Sequence, residues 1–279
     1  MPAAPRAATS RTAGPGVVYS RAMKRLIDCR TVCRIVLLAG GLTVLPAPVQ
    51  AQWIRHQAPG IPRLADGKPD LSAPAPRTAD GKPDLSGFWY SRDFCNLFCF
   101  SRTRSAEFLP SAKAIFDARR ANNLKDSPNA RCLPPGLPNT EFDPHKIVQT
   151  RDELAILYGP RTMYREVFLD GRDLPRDPNP TWMGYSVGHW QGETLVVEVV
   201  GLTDRSWIAF ADPHSESLKL TERFTRINVG TMEMEITVDD PQTYVRPWMV
   251  KATLTLNPDT ELLEDVCENE KDASHLVGK

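Results

Sequence analysis

Three stretches of this 279-residue chain combine residue types that do chemistry. Asp212-Pro213-His214-Ser215-Glu216, followed by Glu222, sets one histidine near two carboxylates. If a strand opens at Glu216, Glu216 and Glu222 share its face, with His214 at the mouth. A histidine so placed would have a raised pKa and move protons near neutral pH, as acid or base in a hydrolysis, elimination or isomerisation. The same three groups are the only place where a divalent metal suggests itself, and no other cofactor is called for. The plainer alternative is capping and surface hydrogen bonding in a loop.

Asp204-Arg205-Ser206-Trp207 puts a guanidinium fork beside an aromatic face, a combination suited to an anion or a ring. As an Asp/Arg pair it would instead lock a loop. Gly184-Tyr185-Ser186-Val187-Gly188 is a G-x-S-x-G string, and Asp204 or Asp212 and then His214 follow in hydrolase order. That motif requires a strand-turn-helix, whereas HWQGETLVVEVV after Gly188 reads as a hairpin. The expectation is glycines that let Trp182 or Trp190 pack over a strand.

Behind these groups the pattern has period two. Strands are expected at Lys146–Thr150, Leu154–Tyr158, Thr162–Leu169, Met183–Trp190, Thr194–Gly201, Leu218–Arg226, Thr231–Val238, Trp248–Leu256 and Glu261–Val266. Tight turns such as Asp170-Gly171 and Gln191-Gly192 make successive strands antiparallel neighbours. The expected class is all-β: an antiparallel meander of about nine strands closing into a barrel of lipocalin-like architecture, because closure removes exposed edges. Arg165, Glu166, Glu233 and Glu235 lie on these strands as candidates for a polar lumen. Glu222 shares a face with Leu218, Leu220 and Phe224, so it needs either Arg223 or Arg226 as partner or a cavity with water or ligand. One helix precedes the sheet, Pro110 to Asn122, with Ala114, Ile115 and Ala118 on one side.

Residues 1–51 read as a signal region with a second start at Met23: basic residues, the short apolar run IVLLAGGLTVL, then small residues before Gln52. That region holds seven Lys/Arg and one acid, so the remainder carries 27 basic and 33 acidic groups. The balance gives no sign of a nucleic-acid surface, and no later run is long enough for a membrane span. A repeat, ADGKPDLS at Ala65–Ser72 and again at Ala79–Ser86, reads as an extended Pro/Gly-rich linker over 52–86, ahead of a single domain at 87–279. After export four cysteines remain. The preferred pairs are Cys132 with Cys267 and Cys95 with Cys99, and CNLFC lacks the spacing of a zinc site.

The motifs DGKPDLSGFW, RCLPPGLP, DPNPTWMGYSVGHW, HSESLKLTERF and VCENE, in order from about Asp66 onward, resemble a family of exported bacterial proteins of unassigned activity. The resemblance implies export and a largely β domain, and supplies no catalytic residues. The chain departs from it at His145 and His189, where an aromatic and an arginine are usual.

Three readings follow. The first is a periplasmic or extracellular barrel binding a small apolar or aromatic molecule under the Thr203–Glu216 connection, with Tyr185, Trp190, Asp204, Arg205 and Trp207 as ligand contacts. The second is a small-molecule enzyme of the same shape using His214 with Glu216 or Glu222. The third is a structural or surface interaction protein. Oligomeric state is not legible.

Overall fold

Nine strands form a closed barrel in chain order: β1 (Gly87–Ser91), β2 (His145–Gln149), β3 (Glu153–Tyr158), β4 (Tyr164–Phe168), β5 (Tyr185–Gln191), β6 (Thr194–Val200), β7 (Lys219–Arg226), β8 (Thr231–Asp239) and β9 (Trp248–Leu256). The computed structural model describes residues 57–91, 106–263, 265 and 267. The signal region and Cys95 with Cys99 lie outside them. No described helix is long and apolar enough to cross a membrane.

The number of strands is as expected, but their identity and pairing differ in two places. Glu261–Val266 is no strand; its described part contributes one isolated bridge, Pro160 to Asp265. The edge of β9 that it would have used is taken by β1, where Trp89 pairs with Leu256 on one side and with His145 on the other. Secondly, an odd number of strands cannot alternate direction all the way round a closed sheet. One neighbouring pair must be parallel, and it is β4 with β5. Parallel neighbours cannot be joined by a tight turn, so residues 169–184 form a long crossover. The seam is short: only Val167 with Ser186 and Phe168 with Val187 are in register.

Alternation fills the lumen. Met232, Met234, Ile236 and Val238 of β8 are buried, as are Leu154, Ile156 and Tyr158 of β3. Removing such side chains from water stabilises the fold by about 1.5–3 kcal/mol each. The same alternation turns Arg165 of β4 and Glu222 of β7 inward.

The repeat packs against the barrel as a surface layer. In each copy a hairpin closes identically, with the Gly67 amide bonded to Leu64 and that of Gly81 to Thr78. An arginine before each hairpin donates to its glycine carbonyl and reaches a distant acid: Arg63 to Asp259 at 2.5 Å, Arg77 to Glu193 at 2.7 Å. Leu85 of the second copy is fully buried, and Arg226 from β7 holds the carbonyls of Asp84 and Ser86. Apolar anchors and charged clamps, invisible in the Pro/Gly composition, fix the segment.

Helix α1 (Pro110–Ala121) also forms, rotated from the expected face. Ala112 is its buried residue, Phe116 meets Phe108 with ring centres 5.3 Å apart and planes tilted by 36°, and Ile115 is 47% exposed. The face Ala112, Phe116, Arg119 follows the i, i+4, i+7 row and brings Arg119 over the end of the barrel connection.

Candidate functional site

The most polar point of the lumen is built by β3, β4, β5 and β7. Arg165 donates from Nη2 to Glu222 at 2.8 Å, from Nη1 to Glu141 at 2.7 Å and from Nε to Ser186 at 2.9 Å. The Tyr158 hydroxyl donates to the same Glu141 oxygen. All five side chains are almost entirely removed from solvent. Burial works against the Arg165 charge, but Glu222 and Glu141 more than offset it and hold its pKa above the usual value. One cation cannot neutralise two buried anions, so Glu222 is left reluctant to ionise: burial and Glu141 push it up to about 7, against the pull of Arg165. His145 is driven down by burial and stays neutral at physiological pH. Its Nε2 and Glu141 Oε2 are buried without a partner.

This cluster supplies the partner that Glu222 requires, and corrects the expectation of Arg223 or Arg226. Arg223 lies outside the barrel and reaches Gln191, and Arg226 is spent on backbone carbonyls. Ser186 accepts from Arg165 inside a strand and has no nucleophile elbow. Gly184 and Gly188 admit Val199, Leu202 and Leu169, not a tryptophan: a Cβ at Gly184 would lie 2.8 Å from the Val200 carbonyl, and one at Gly188 2.7 Å from Leu169.

The three expected catalytic groups are not brought together. Glu222 is in the lumen, His214 in the connection before β7, and Glu216 exposed in a turn, because β7 begins only at Lys219. Neither the acid–base pair nor the metal set of those three is assembled. No group of three His, Cys, Asp or Glu suited to a metal occurs among the described residues. His214 pairs instead with Ser206: Nε2 lies 2.7 Å from Ser206 Oγ, Nδ1 lies 2.9 Å from the Ser215 carbonyl, and Ser206 Oγ lies 3.0 Å from the Thr203 carbonyl. Spacing alone would suit a nucleophile and base. Yet Ser206 is fully buried, and Gly136, at φ +79°, sits so close that a Cβ there would lie 2.5 Å from Ser206 Cβ. Burial also lowers the His214 pKa. The pair pins the connection.

The expected ligand contacts divide among several surfaces. Arg205 and Trp207 line a cleft of about 570 Å³ with Arg119 and Trp182. Tyr185 lines another, of about 580 Å³, at the parallel seam. Asp204 and Glu216 border a broad groove against the 174–180 crossover, and Trp190 lies elsewhere, beneath Lys82.

The seam cleft follows from topology. Since β4 and β5 hold together over two residue pairs, their leading ends part, and Tyr164, Phe168, Trp182, Met183 and Tyr185 wall the gap above Arg165 and Ser186. Tyr164 is 66% exposed and Tyr185 37%. Sequence reading missed Tyr164, Trp182 and Arg119 as site residues. Periodicity marks Tyr164 only as outward-facing, and nothing in it shows where the parallel seam falls. The chain matches no family model, no curated protein and no solved structure.

The predicted Cys132–Cys267 disulfide is present, with Cα atoms 5.5 Å apart. It ties the loop before β2 to the segment after β9.

Proposed function

We propose that this barrel binds a small apolar or aromatic molecule in the cleft where β4 and β5 part. The observation that carries the reading is the pair of outward tyrosines, Tyr164 and Tyr185, lining one aromatic-walled cleft of about 580 Å³. That volume lies within the range of small-molecule sites. Exposed aromatic faces over a fixed backbone lose little entropy when a ring stacks on them. In this reading the ligand sits at the seam rather than in the lumen, where core side chains and the Arg165 cluster are buried. Export to the periplasm or beyond belongs to the same reading, supported by the 1–51 pattern and by a disulfide that suits an oxidising compartment.

The test is a fluorescence titration with N-phenyl-1-naphthylamine, using Trp182 in the cleft wall as donor. Saturable energy transfer is expected, and the double variant Tyr164→Ala, Tyr185→Ala should weaken it by about tenfold or more, equivalent to 1.4 kcal/mol. Equal affinity in that variant places the ligand elsewhere.

A further inference from the structure

We propose that a second cleft, between α1 and the Arg205–Trp207 segment, binds a planar organic anion such as an aromatic carboxylate, held by Arg119 and Arg205 against Trp207 and Trp182. Its lining shares only Trp182 with the seam cleft. The charged lining comprises three arginines and one aspartate, a net of two positive charges. Arg131 is already paired with Asp126 at 2.6 Å. Arg119 and Arg205 form no ion pair with any described carboxylate. Arg119 makes one weak bond, to the Ala211 carbonyl at 3.3 Å.

Both free guanidinium groups lie on indole faces. Arg119 is 4.2 Å from the ring centre of Trp207, and Arg205 is 5.1 Å from that of Trp182. Stacking fixes the plane of a guanidinium while leaving its edge N–H groups to donate, the arrangement that reads a carboxylate in two bonds. Arg119 is part-buried, and its pKa falls to about 10 because burial outweighs the more distant Asp212 and Asp204. It remains charged at neutral pH, a part-desolvated cation on which Asp212 and Asp204 act without forming an ion pair. Such a charge weakens the fold unless something else in the cleft compensates it. Asn122, also in the lining, has a buried Oδ1 without a partner, so the ligand can offer a donor beside its anion. At about 570 Å³ the space takes a bicyclic ring with its acid group. Sulfonates and phosphate esters of the same shape share this chemistry.

Isothermal titration of the full chain with naphthalene-2-carboxylate, in parallel with the uncharged 2-naphthamide, tests the proposal. The carboxylate should bind at least about tenfold more tightly than the amide. Arg205→Gln, at an exposed position that does not touch the core, should remove most of that preference, and Arg119→Gln should do the same. Tyr164→Ala with Tyr185→Ala should leave carboxylate binding unchanged, which separates this cleft from the seam. No heat from the carboxylate at millimolar concentration, equal affinity for acid and amide, or unaltered preference in Arg205→Gln would overturn it.

Discussion

Arg165 and Arg119 are both withdrawn from solvent, yet they stand in opposite electrostatic states. Arg165 meets two carboxylates and a hydroxyl at 2.7–2.9 Å, and each nitrogen of its fork donates a hydrogen bond. Arg119 meets an indole face and one carbonyl at 3.3 Å. A buried cation that the fold itself neutralises is structural; one it leaves unneutralised, on an open cleft, is available to a ligand. Residue type is shared by the two sites, whereas burial is complete at Arg165 and partial at Arg119, so compensation and depth together separate the two.

The largest effect should come from breaking the compensated site. Arg165→Met leaves Glu141 and Glu222 buried without their cation, and loss of one partner from a buried pair typically costs about 3–5 kcal/mol. Urea unfolding followed by circular dichroism measures it. Adding Glu141→Gln and Glu222→Gln to Arg165→Met should restore much of the loss, because no uncompensated charge then remains. A fold that tolerates Arg165→Met with little change would place the two arginines in the same class after all.

The second effect separates the two carboxylates. Glu222 has a folded pKa raised to about 7, above the unfolded value of about 4.3. Its contribution to stability is therefore full below the unfolded value and is lost as pH rises through about 7. His145 and His214 have lowered folded values, so their contribution runs the other way and is lost as pH falls below about 6.5. They are common to wild type and Glu222→Gln, and cancel in the difference between the two. That difference should favour wild type by roughly 3 kcal/mol more at pH 5 than at pH 8, at about 1.4 kcal/mol per unit. A difference independent of pH means that Glu222 is ionised throughout.

The strands were legible because one alternating face must be buried, and eight of the nine expected ranges overlap observed strands. The need of Glu222 for a partner was legible for the same reason. Its identity was not: Arg165 lies 57 residues away on a strand across the lumen, and alternation does not say which side of β4 is inner. Glu141 sits in a short 3-10 turn that offers no periodic signal. The parallel seam, and with it the cleft containing Tyr164 and Tyr185, follows from the parity of a closed nine-strand sheet. That constraint requires an odd number of parallel pairs but does not say where they fall. Arg205 and Trp207 line one cleft with Arg119, which lies on a helix face that the apolar pattern of α1 does not mark.

The smallest effect sharpens the comparison from outside. Arg77 Nη2 meets Glu193 at 2.7 Å, the same distance at which Arg165 meets Glu141. Here, however, the side chains are 52% and 62% exposed. Water screens an exposed pair in either state, and removing one partner leaves the other solvated rather than stranded. Glu193→Ala should therefore produce no resolvable change in the urea midpoint, with Arg77 still donating to the Gly81 carbonyl at 2.9 Å and the hairpin of the second repeat intact. A loss approaching that of Arg165→Met would show that the clamp between repeat and barrel carries the fold. Contact distance would then matter more than burial, and the distinction between the lumen arginine and the cleft arginine would have to rest on the number of partners alone.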